Sequence, residues 1–145
     1  MQRRPADTPA DLDACWPLMR LLRPHLRGPE EFAEQVARQR RGGYRLLALW
    51  RSEEAAALAG WRIQENLLFG LHAYVDDLIT RERDRSSGLG ASLLTFVGEE
   101  ARALGCRKLV LGTAVENVAA QRFYLRQGMR NIGMSFVKEL SENSG

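Results

Sequence analysis

Apolar positions recur along this chain in two rhythms, and the changes between them mark its elements. Leu12, Trp16, Met19 and Leu22 to Leu26 fall at helical spacing behind Pro9-Ala10-Asp11, so the pattern predicts a short strand near residues 2–6, then a helix over the stretch 9–27 that Pro24 ends. Pro29-Glu30-Glu31 opens a second helix with proline and acids in its first turn. That helix closes near Gly42-Gly43, with Arg38, Arg40 and Arg41 at its negative end. Residues 44–51 read as a strand, Ser52-Glu53-Glu54 as a turn, residues 55–64 as the hairpin partner and 67–80 as a third long strand.

A second helix-rich half follows. Gly88 to Leu104 carries Leu89, Leu93, Phe96, Val97 and Leu104 as one apolar stripe, with Gly105 as its stop. Residues 107–113 are strand-like, and Asn117 caps a helix that Gly128 terminates. Met129 to Leu140 is expected to close the chain as a strand, bent at Gly133, before a frayed tail.

At 145 residues the chain fits one domain. A hydrophobic fraction of 45% with 27% charged residues argues against disorder and against a fibre. No apolar run approaches the roughly 20 residues of a membrane span. The first residues have positive charge without an apolar stretch behind it, unlike a secretory signal. A cytoplasmic protein with no membrane partner is expected. Cys15 and Cys106 lie far apart, without zinc-type spacing, so two buried reduced thiols and no metal are expected.

The junction from His72 to Gly90 carries the chemistry. A strand runs into the arginine-rich turn Arg81 to Arg85 and then Ser86-Ser87-Gly88-Leu89-Gly90, which opens a helix. Backbone N–H groups, a helix N-terminus and arginines converge there, a combination that suits a phosphate. The dinucleotide pattern G-x-G-x-x-G fails, because Leu93 stands where its third glycine belongs. The triphosphate loop fails for want of its lysine. What remains is R-x-x-G-x-G, formed by Arg85, Gly88 and Gly90.

Joined to Asn117-Val118-Ala119-Ala120-Gln121-Arg122-Phe123-Tyr124 and the downstream Gly128, that motif resembles the GNAT superfamily of acyl-coenzyme A-dependent N-acetyltransferases. The resemblance implies one α/β domain over residues 1–145. Its sheet would be mixed, mostly antiparallel and twisted, with six or seven strands flanked by about four helices and splayed between strands 4 and 5. Backbone groups of Leu78, Ile79 and Thr80 would bind pantetheine as an added strand does. The turn Arg85, Ser86, Ser87, Gly88, Leu89 and Gly90 would hold the pyrophosphate of acetyl-CoA, with Arg81, Arg83 and Arg85 supplying charge. Asn117 would contact pantetheine near the thiol, and Tyr124 would protonate the departing thiolate. The chain departs from the family at Thr80, often hydrophobic, and at Glu82, near which a proline is common.

The acceptor amine must lose a proton before it attacks. Asp76 and Asp77 are candidates, and on a regular strand they point to opposite faces unless a bulge intervenes. Asp77 is preferred, with Glu116 and Glu65 as fallbacks. His25 reads as a surface residue, His72 as structural, and Trp16, Trp50 and Trp61 as packing. The expected activity is acetyl transfer to a primary amine of a small molecule or peptide, through a ternary complex, with a homodimer as one expected assembly. A non-catalytic acyl-CoA sensor is the alternative. A nucleic-acid partner is not expected, since Glu82 and Asp84 interrupt the arginine run.

Overall fold

A computed structural model describes residues 1–141, which group into two compact units, one over residues 1–111 and the other from Gly112 onward. The first unit has the order β1 (Gln2–Pro5), α1 (Pro9–Leu22), α2 (Pro29–Arg41), β2 (Arg45–Arg51), β3 (Glu54–Asn66), β4 (Gly70–Thr80), a 3-10 turn (Glu82–Asp84), α3 (Leu89–Ala103) and β5 (Lys108–Leu111). The strands lie side by side in chain order. The first three pairings are antiparallel and β4 with β5 is parallel.

Local chemistry starts and stops the helices. Thr8 and Asp11 form a capping box at the start of α1, with the Thr8 hydroxyl accepting from the Asp11 N–H at 3.0 Å and Asp11 accepting from the Thr8 N–H at 3.2 Å. Helix α1 ends at Leu22, one turn ahead of the histidine-bearing connection to α2. Leu12, Cys15, Leu18 and Met19 of α1 and Phe32 and Val36 of α2 join Tyr44, Leu46, Ala48, Trp50 and Leu58 in one buried cluster. Leu93, Leu94, Val97 and Ala101 bury the apolar stripe of α3, which packs against β2, β3 and β4. Leu46 to Trp50 are therefore buried on every residue, without the alternation of a one-sided strand.

Cys15 and Cys106 are buried free thiols, as their spacing implied. Burial pushes the Cys15 thiol up to about 12, so it stays protonated and unreactive at neutral pH.

The second unit contains α4 (Val118–Arg126). Residues 129–140 form no strand, so the sheet has five strands rather than six or seven. Ile132, Met134 and Phe136 alternate as a strand face would, but all are exposed, Phe136 at 90%. Period-two patterning makes a strand only where a neighbouring edge accepts its N–H and C=O groups. The four residues after Ser141 lie outside the described part.

Candidate active site

Strand β4 carries the site because its two edges have different fates. On one edge it follows β3 from Asn66↔Gly70 to Ala57↔Thr80. On the other it pairs with β5 only from His72↔Lys108 to Val75↔Leu111. From Asp76 onward that second edge, which includes Leu78, Ile79 and Thr80, meets no strand among the described residues. This is the expected splay between strands 4 and 5.

Next along the chain lies the anion loop. Gly88 is the N-cap of α3 in the left-handed region at φ +85°, and no side chain caps the helix. The first helical bond runs from the Ser92 N–H to the Gly88 carbonyl at 3.0 Å, leaving the N–H groups ahead of it pointing outward at the positive end of the helix. Ser86 also adopts a left-handed conformation, at φ +69°, which a residue with a Cβ holds at a cost.

The three arginines of the turn have different employment. Arg81 donates to the Ala55 carbonyl at 2.8 Å and pairs with Glu54 at 3.2 Å, while Arg83 pairs with Glu54. Arg81 and Arg83 thus share one carboxylate, that of Glu54. The Arg85 side chain is exposed and makes no hydrogen bond or ion pair among the described residues. Asp84 is buried and receives two bonds from Arg51, at 2.7 and 3.0 Å. That guanidinium holds its carboxyl below the usual carboxylate range.

A second cluster surrounds Asp76 and Asp77. The register passes from Gly60↔Asp77 to Trp61↔Val75, so Asp76 is an extra residue and β4 bulges there. The bulge puts both carboxylates into one network. Asp77 accepts from Arg23 Nε at 2.9 Å and from the Tyr44 hydroxyl at 2.8 Å, while Asp76 accepts from Arg62 Nε at 2.8 Å. Arg23 also donates to the Asp76 carbonyl at 2.6 Å, and the Arg62 guanidinium sits 5.4 Å from the Tyr44 ring centre. Burial and the neighbouring Asp77 raise the Tyr44 phenol well above its ordinary range, so it remains a hydrogen-bond donor.

Neither Arg23 nor Tyr44 stood out in the sequence, because their partner lies 54 and 33 residues away. Gly60 did carry a signal. A glycine inside a strand pattern marks a bulge or a close approach, and a Cβ there would lie 1.9 Å from the Tyr44 hydroxyl.

In the second unit, Asn117 Oδ1 accepts from the Ala120 N–H at 3.1 Å and so caps α4, leaving its Nδ2 group for another partner. Tyr124 is half-buried with its ring 5.5 Å from Phe123, and burial raises its phenol, which stays protonated. The fallback acids Glu65 and Glu116 are exposed, as is His25. His72 is buried with Nδ1 2.8 Å from the Gly70 carbonyl, a structural placement. Among the described residues no group of three or more histidine, cysteine or acidic side chains could hold a metal ion, and no helix is long and apolar enough to cross a membrane.

The sheet is open beside its fourth strand, which leads into an uncapped helix started by glycine. The family model described as the acetyltransferase (GNAT) family matches residues 12–129. An uncharacterized N-acetyltransferase of Bacillus subtilis is 29% identical over 109 residues, covering 75% of this chain and 77% of its own. The crystal structure of glucosamine-6-phosphate N-acetyltransferase from Arabidopsis thaliana superposes with a TM-score of 0.78 at 22% identity, over 97% of this chain and 98% of that one. An aminoglycoside N-acetyltransferase solved with a coenzyme A-containing bisubstrate analogue superposes with a TM-score of 0.82 at 15% identity, over 97% of each chain. The chain belongs to the GNAT family and is an N-acetyltransferase, transferring acetyl groups to amines.

Proposed function

We propose that this chain, as a single domain, transfers the acetyl group of acetyl-CoA directly to a primary amine of a small molecule or peptide, in a ternary complex and through a tetrahedral intermediate. The supporting observation is the free edge of β4 running from Asp76 into the uncapped N-terminus of α3. Leu78, Ile79 and Thr80 would bind the pantetheine arm through their backbone. Arg85, Ser86, Ser87, Gly88, Leu89 and Gly90 would hold the diphosphate through N–H groups, the helix dipole and one free guanidinium. When bound, the thioester supplies an activated acyl carbon and a thiolate leaving group.

Proton traffic falls to three side chains in this reading. Asp77 takes the proton of the incoming ammonium on a lone pair that Arg23 and Tyr44 leave open, since each carboxylate oxygen has two. Asn117 Nδ2 orients the arm near its sulfur, and the Tyr124 phenol gives its proton to the departing thiolate. The relatives named for glucosamine 6-phosphate and aminoglycosides act on amines of small molecules, which favours that acceptor class here. The reading needs no metal, nucleic acid or membrane. It places the chain in the cytoplasm, with a homodimer as the assembly for light scattering to check.

Two measurements test it. Calorimetric titration with coenzyme A should show one site per chain with Kd in the range of about 1 μM to 1 mM typical of enzyme substrates. Absence of heat and of competition with acetyl-CoA would defeat the reading. With any amine found to release free thiol, Asp77→Asn should lower kcat/KM by about a hundredfold and flatten the acid limb of its pH profile. An unchanged profile would remove Asp77 from the role of base.

A further inference from the structure

The anion loop is poorly self-sufficient. Two residues at its centre, Ser86 and Gly88, adopt left-handed conformations at φ +69° and +85°. Gly88 holds its conformation freely, whereas Ser86, which carries a Cβ, persists there only where its surroundings hold it. Within the loop the support is thin: the Ser87 N–H reaches the Asp84 carbonyl at 3.3 Å, the Ser87 hydroxyl donates to the same carbonyl, and the Arg85 N–H reaches Glu82 at 3.2 Å. Everything that fixes Ser87, and through it Gly88, therefore hangs on where Asp84 sits.

Asp84 is set from another part of the fold. Arg51, the last residue of β2, grips both carboxylate oxygens, at 2.7 and 3.0 Å, and Asp84 is 7% exposed. Such paired bonds fix direction as well as distance. Three residues further along the same turn, Glu54 engages Arg81 and Arg83, and Arg81 also reaches the Ala55 carbonyl. The β2–β3 turn thus clasps the entry of the loop at Arg81, Arg83 and Asp84.

We propose that Arg51 and Asp84 are positioning residues of the coenzyme site, the pair that holds the loop in its diphosphate-binding shape. The proposal rests on the reading of residues 85–90 as the diphosphate cradle. Neither residue touches the ligand in this scheme, and their effect passes through Ser87 and Gly88. If loss of the pair leaves the bound shape populated about one-tenth of the time, apparent affinity falls by the same factor.

Coenzyme A and pantetheine, which lacks the diphosphate, separate this role from general damage. Arg51→Ala and Asp84→Asn should each raise the Kd for coenzyme A about tenfold by calorimetry while leaving the Kd for pantetheine, followed by chemical shifts, within about twofold. Arg51→Lys, which can supply only part of the paired geometry, should fall between wild type and Arg51→Ala. A purely electrostatic role predicts the opposite for Asp84→Asn, since removing a negative charge beside an anion site would tighten binding. Tighter binding by Asp84→Asn, unchanged coenzyme A affinity in both variants, or equal losses for both ligands would overturn the proposal. Should Arg51→Ala fail to fold, the nearly isosteric Asp84→Asn decides alone. Wild-type protein that binds no coenzyme A would instead defeat the cradle itself.

Discussion

Tyr124→Phe should lower kcat by about a hundredfold to ten-thousandfold, the range a positioned general acid contributes, while the Kd for acetyl-CoA stays within about threefold of wild type. The substitution removes one hydroxyl and keeps the ring that packs beside Phe123. Because burial raises the Tyr124 phenol, the group is protonated across the working range and ready to donate. Stopped assays of thiol release with a reactive amine give kcat, and titration gives affinity. A variant as fast as wild type would move the proton to water or another donor. A wild-type chain that binds acetyl-CoA yet turns over no amine in a broad panel would favour the sensor alternative.

The largest structural effect is expected at Gly60. Its missing Cβ would meet the Tyr44 hydroxyl at 1.9 Å, the Tyr44 ring at 2.6 Å and Asp77 Oδ2 at 2.8 Å. Tyr44 is 4% exposed and cannot swing aside, so Gly60→Ala must displace the ring or the strand and break the Tyr44 to Asp77 bond. Overpacking of this kind costs about 1–3 kcal/mol, and the lost bond adds about 1 kcal/mol. For a chain of this length the melting temperature should fall on the order of 10 °C. Gly98→Ala is the control: a Cβ there meets nothing within 4 Å, the site lies inside α3, and the helix should gain about 1 kcal/mol. Calorimetric melting of both variants checks the pair, and a Gly60→Ala protein that melts with wild type would show that the close approach is not rigid.

The local geometry of the candidate site was legible in the sequence. The turn from Arg85 to Gly90 announces itself through a left-handed glycine and a helix start, and both are local properties. Asn117 as the cap of α4 is local in the same way, as is the glycine that ends α3. The bulge at Asp76 was foreseen only as a condition for the two aspartates to share a side. Its placement depends on how Gly60 and Trp61 meet the opposite strand, which the β4 residues alone do not specify.

The arginines mark the boundary between the two kinds of information. In sequence, Arg81, Arg83 and Arg85 are equivalent cations near an anion site. Folding delivers Glu54 to the first two and leaves the third side chain unpaired among the described residues, because the β2–β3 turn ends beside the loop entry. The same holds for residues 129–140, whose alternation is a strand's but which form no strand among the described residues.

Short-range chemistry by itself determined the helices, their caps, the glycine-bearing anion turn and the candidate acid on α4, since each depends on neighbours within a turn or two of chain. Tertiary structure alone decided which charges are spent and which are available, because an ion pair such as Arg51 with Asp84 joins residues 33 positions apart. It also decided that Tyr44 and Arg23 hold Asp77, a geometry that exists only once α1, β2 and β4 are brought side by side by burial of their common core.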